Sequence, residues 1–98
     1  MKRLAGQLVD AGASVGANLA ESVDGQTKPD FTSKIFIALK EAREARYWLR
    51  LIAVSEAALE PQTKPLISEA SELIAILTTC AKTAKSNKNR GQQPEVQT

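Results

Sequence analysis

The chain has 98 residues with a formal net charge of +2, which limits it to one domain with a modest core. Aromatics make up only 4% while apolar residues reach 43%, so Ala/Leu/Ile helix packing is favoured over a β-rich core. There is no histidine and one cysteine, which removes the commonest general base and metal ligand and excludes a disulfide framework.

The first predicted helix runs from about Lys2 to Val23. Leu4, Leu8, Ala11, Val15 and Leu19 recur every three or four residues and make one apolar stripe. Beside it runs a row of small residues: Ala5, Val9, Gly12, Gly16 and Ala20. Each glycine costs a helix about 0.5–1 kcal/mol relative to alanine, so the row is expected to gain close approach to another helix. Asn18 sits one turn from Ser14, and an Asn in mid-helix points to an inter-helix hydrogen bond. Polar residues interrupt the apolar start at helical spacing, so it reads as a structural helix and not a signal peptide. No apolar run reaches the roughly 18 residues of a membrane span, and the cytoplasm is the expected compartment.

Asp24-Gly25 marks a turn, and Thr27-Lys28-Pro29-Asp30 reads as a helix N-terminus. The second predicted helix runs from about Pro29 to Leu59. Phe31, Ile35, Ala38, Ala42, Ala45, Leu49, Ile52 and Ala53 share its core face. Ile37, Trp48 and Leu51 lie opposite, with Phe36, Tyr47 and Val54 beside them. A helix apolar on two sides is covered on two sides, by helices of the same chain or by another subunit. Ile37, Tyr47, Trp48 and Leu51 are therefore the candidate oligomer interface.

Lys40, Arg43, Arg46 and Arg50 fill about a third of that wheel with Tyr47 among them. One reading is a phosphate-binding stripe with an aromatic that stacks on a base. The preferred one pairs these bases with acids such as Glu21, Glu69 and Glu72, because Glu41 and Glu44 interleave with them along the chain. Only Asp30 and Lys34 have the favourable acid-to-base spacing of four within the helix. Arg46 leans toward the core and is expected in a buried ion pair.

Glu60-Pro61-Gln62-Thr63-Lys64-Pro65 separates the second helix from the third, with Thr63 or Glu60 as its cap. The third runs from about Pro65 to Lys85, with Leu66, Ile67, Ala70, Leu73, Ile74, Leu77, Ala81 and Ala84 on its apolar face. Cys80 reads as a small core residue. Residues 1–85 form the bundle domain and 86–98 a disordered polar tail. Residues 1–81 carry nine basic and ten acidic groups, whereas Lys82, Lys85, Lys88 and Arg90 face only Glu95. Those four are candidate nucleic-acid contacts, or else a solubilising end.

The fold class is thus all-α, an antiparallel helical bundle. No catalytic set, metal site or cofactor motif is present in the sequence, and an enzyme is not expected. Glu41 and Glu44 are a surface carboxylate pair, Cys80 has no histidine to activate it, and the glycines lie inside a helix pattern with no phosphate loop.

SVGANLAES (14–22) and KPDFTSKIFIALKEAREARYWLRLI (28–52) resemble the four-helix bundle family of 23S rRNA intervening-sequence proteins. The likeness continues less specifically through SELIAILTTCAKTAKSNK (71–88). Members usually carry a further helix ahead of the segment matching Gly6–Ser22. The resemblance thus implies three helices of a four-helix pattern, the first being absent or the start placed too far downstream. It also implies symmetric rings, often pentamers, and a link to structured RNA. Some members are encoded within insertions in the large ribosomal RNA gene. A related group serves diversity-generating retroelements and binds nucleic acid and a reverse transcriptase. The function implied is a non-enzymatic, self-assembling accessory protein that binds RNA or DNA. The alternative is a homo-oligomeric protein-interaction scaffold with no nucleic-acid role.

Overall fold

The computed structural model describes residues 2–23 and 28–91. Among them are three α-helices, α1 (Lys2–Val23), α2 (Lys28–Ser55) and α3 (Glu60–Gly91), a single 3-10 turn at Ala57–Leu59, and no strand. The expected turn at Asp24-Gly25 and cap at Thr27 lie outside the described residues.

The helices form because each carries apolar residues at a three-to-four spacing, and burial of that stripe holds them together. α2 is the shared partner: α1 packs on one flank and α3 on the other. Among the described residues no Cα of α1 lies within 8 Å of a Cα of α3. α1 and α3 thus stand to α2 as diagonal helices of a four-helix bundle stand to the one between them. Two cross-links fix the α2–α3 direction. Arg46 reaches Ser71, and Phe31 shares a notch with Thr79 and Ala84, so the helices run antiparallel.

The core is one cluster drawn from all three helices. Val15 comes from α1, Ile35, Ala38, Leu39 and Ala42 from α2, and Ile74, Leu77 and Ala81 from α3, with Leu19 and Leu73 at its edge. Ala38 is 0% exposed. Small residues at this point let the helix axes approach closely.

Buried and half-buried hydroxyls are satisfied inside their own helices. Ser22 donates to the Leu19 carbonyl at 2.7 Å, and Thr78 to that of Ile74 at 2.7 Å. Asn18 behaves the same way and corrects the expectation of an inter-helix bond. Its Nδ2 donates to the Ser14 carbonyl at 2.8 Å and to Ser14 Oγ at 3.2 Å. The residue one turn back offers an acceptor before any neighbouring helix does.

The helix boundaries differ from the sequence reading for reasons that lie in proline. α2 ends at Ser55 and not Leu59, since Glu56 leaves the helical region at φ −134°, ψ 88°. Continuing through Pro61 would drive its ring into the Ala57 carbonyl. Instead Glu60 opens α3, with Pro61 in the first turn, where no amide donor is needed. Thr63 is buried inside that turn and donates to the Glu60 carbonyl at 3.3 Å, so it is not the cap. Pro65 lies within α3 rather than at its start. At the other end α3 continues beyond Lys85 to Gly91, because Ser86–Arg90 contains no helix breaker. Residues 92–98 of the expected tail lie outside the described part.

The second row of α1 is uncovered. Ala5, Val9, Gly12, Gly16 and Ala20 are all exposed, and a Cβ built on Gly12 or Gly16 meets nothing within 4 Å. No described part of this chain makes the close approach that the glycines suggest. The double variant Gly12→Ala/Gly16→Ala is therefore expected to raise the unfolding free energy by about 1–2 kcal/mol, as the helix loses two flexible residues. Urea unfolding measures it; a fall in stability would mean that another molecule packs closely on this row in solution.

Candidate nucleic-acid interface

With α1 and α3 on its flanks, α2 turns its remaining face to solvent. Phe36, Lys40, Arg43, Tyr47, Arg50 and Val54 follow one another at steps of four and three, so they line up as one ridge. All six are exposed; Phe36 is 43% exposed, Tyr47 58% and Val54 84%. The ridge is about 27 Å long at the helical rise of 1.5 Å per residue.

No acid lies on this ridge. Glu41 and Glu44 interleave with the bases in sequence, yet in space they lie roughly a quarter-turn round the helix. They share the next stripe with Ile37, Trp48 and Leu51, on the flank toward α1. On that stripe Trp48 and Leu51 are half-buried and Ile37 is exposed. Tyr47 meets Trp48 edge to face, ring centroids 5.0 Å apart and planes at 72°. The half-buried indole thus steadies the exposed phenol ring.

The expected ion pairing of the basic row is not what the structure shows. Glu21 pairs with Lys34, Nζ to Oε1 2.6 Å, tying α1 to α2. Arg46 points toward α3, where its Nη1 donates to Ser71 Oγ at 3.1 Å. Its partner is a hydroxyl and its site half-buried, which corrects the expected buried ion pair; Glu69 and Glu72, on either side of Ser71 in sequence, are exposed. Among the described residues Lys40, Arg43 and Arg50 form no salt bridge, nor do Glu69 and Glu72. Three cations therefore stand unpaired on one face with two open aromatic rings.

Lys82 and Lys85 are exposed on α3. The antiparallel register sets them at the axial level of the first turns of α2, toward the Phe36 end of the ridge. Lys88 and Arg90 occupy the last turns of α3, and their side chains lie outside the described part. These bases belong to a helix and not to a loose tail, at least as far as Gly91.

Three apolar assignments shift. Cys80 is exposed, not a core residue, since it lies a full sector away from the Ile74/Leu77/Ala81 face. Phe31 and Leu66 were expected on core faces and are also exposed. Phe31, Thr79, Cys80, Thr83 and Ala84 line an open notch of about 320 Å³. Among the described residues no group of three or more His, Cys, Asp or Glu is gathered as a metal site would require. No helix among them is long and apolar enough to cross a membrane. Sequence reasoning missed Phe36 and Val54 as ridge members; their spacing from Lys40, Tyr47 and Arg50 carries the signal.

No curated protein matches the chain. A solved structure that resembles it is a protein of unknown function from the S23 ribosomal protein family of Bacteroides thetaiotaomicron VPI-5482. It is 34% identical, with a TM-score of 0.75 over 81% of this chain and 73% of that one. The family model of the 23S rRNA-intervening sequence proteins matches residues 1–79, nearly the whole of the bundle, and the chain belongs to that family.

Proposed function

We propose that this chain is a non-enzymatic, cytoplasmic helical-bundle protein that binds RNA or DNA as an accessory factor through the outward face of α2. The observation that carries this is the set of unpaired cations Lys40, Arg43 and Arg50, aligned with Phe36 and Tyr47 and free of acids. A polyanion supplies the charge that the chain itself withholds, and phosphate contact releases its counterions. Lys82 and Lys85 extend the positive charge at one end. The family's name, which ties it to 23S rRNA, makes RNA the first probe to use.

A second reading is a homo-oligomeric scaffold, and the uncovered α1 row with exposed Val9 favours it. The two are compatible, because α1 and the α2 ridge are different surfaces. Ring assembly, with the pentamer as the family expectation, would set several ridges side by side, and their avidity would add to affinity.

Lysine acetylation with and without a saturating RNA tests the assignment. Lys40 is expected to be protected several-fold. Lys34 lies on the same helix but is turned toward Glu21, and its rate should not change. Unchanged Lys40 reactivity with RNA bound would remove the ridge from the interface, and absence of RNA binding would remove the function.

A further inference from the structure

The ridge differs from a plain basic patch in carrying two open aromatic rings. Phe36 and Tyr47 are 11 residues apart, about 16 Å along the helix, with Lys40 and Arg43 between them and Arg50 one turn beyond. We infer that this ridge takes an unpaired strand, with bases stacking on Phe36 and Tyr47 while Lys40, Arg43 and Arg50 hold the phosphates. The inference rests on the nucleic-acid reading above and specifies the form of the ligand.

The argument is one of matched faces. In a duplex every base face is already stacked and its edge paired, so an outward ring meets only sugar and phosphate. An RNA duplex also hides its major-groove edges in a deep, narrow groove. A single strand or loop exposes base faces that stack on aromatics whatever the sequence. Exposing a phenyl ring to water also carries a hydrophobic cost, which a stacked base would relieve. The Tyr47 ring is held ready for this by its edge contact with Trp48. The distance between the two rings spans about five steps at the 3.4 Å rise of a stacked strand. A strand of roughly ten nucleotides would cover the ridge on the same scale.

Trp48, the chain's one tryptophan, reports the event, because a base stacking on Tyr47 changes the surroundings of the neighbouring indole. The experiment titrates the full chain with a ten-nucleotide RNA strand, the DNA strand of the same sequence, and the corresponding duplexes. Anisotropy and Trp48 emission are followed together. Tyr47→Leu and Phe36→Leu keep apolar bulk but remove the ring; thermal melting checks their folding, and sedimentation their mass.

Single strands are expected to bind more tightly than duplexes and to shift Trp48 emission. Each Leu variant should bind the single strand roughly 5- to 150-fold more weakly, the loss expected from one stacked base. Its duplex affinity should stay where it was. The tighter of the RNA and DNA strands identifies the natural sugar. Leu variants with full single-strand affinity would overturn the inference, and so would equal binding of duplex and strand by the wild type; phosphate binding would survive both. A change of mass in the Leu variants would assign the rings to contacts between copies instead. If neither strand nor duplex binds, this inference and the nucleic-acid function fall together.

Discussion

Leu77→Ala is expected to lower the unfolding free energy by about 2–5 kcal/mol, the usual cost of an emptied core leucine site. Leu77 is 3% exposed and sits in the cluster that joins α3 to Ala38, Leu39 and Ala42 of α2. Domains of this size have about 5–15 kcal/mol in all, so the variant loses a large share of its margin. Each kcal/mol moves the melting temperature of such a domain by about 4–8 °C. The adjacent residue is the control. Ile76 is 60% exposed, and Ile76→Ala is expected to change stability by no more than about 0.5 kcal/mol. Thermal and urea unfolding of the two variants decide the matter, and equal losses would mean that α3 presents a different face to α2.

That contrast shows what periodicity makes legible. Val15, Ile35, Ala38, Ala42, Leu77 and Ala81 were all placed on core faces by spacing alone, and all are buried. The three helices and their order were equally legible, because composition, glycine and proline positions agreed with the apolar pattern. Leu66 and Phe31 show the limit: spacing puts both on core faces, and both are exposed.

The candidate site was less legible, for a reason that lies in tertiary structure. A helical wheel gives directions around α2 but not which of them α1 and α3 occupy. The wheel leans Arg46 toward the core but does not name its partner; it reaches Ser71 on α3, while Arg50 faces solvent. Glu41 and Glu44 alternate with the bases along the chain, which suggested local neutralisation. The quarter-turn between the stripes separates them instead. Lys34 illustrates the same point: spacing within α2 says nothing of its ion pair with Glu21 of α1. Gly12 and Gly16 lie on a surface that no described residue of this chain covers, so only their own helix could be read from them.

The ridge makes a second large expectation, on binding. Lys40→Gln/Arg43→Gln/Arg50→Gln removes three exposed, unpaired cations and leaves the core untouched, so folding should be unaffected. Three phosphate contacts to a single strand give a log–log salt slope of about −2, from roughly −0.7 per neutralised phosphate. Wild-type affinity would then fall about 16-fold between 50 and 200 mM salt. The triple variant should bind weakly at low salt and lose most of that slope. Lys34→Gln, which gives up the pairing with Glu21, should keep it.

The measurement that bears most directly on the α2 ridge is this salt titration, run side by side on the wild type and the triple variant with one RNA strand. A slope near −2 that collapses in the variant is the expected result. The same slope in both proteins would contradict it, and would move the phosphate contacts to another surface such as the Lys82 and Lys85 end of α3.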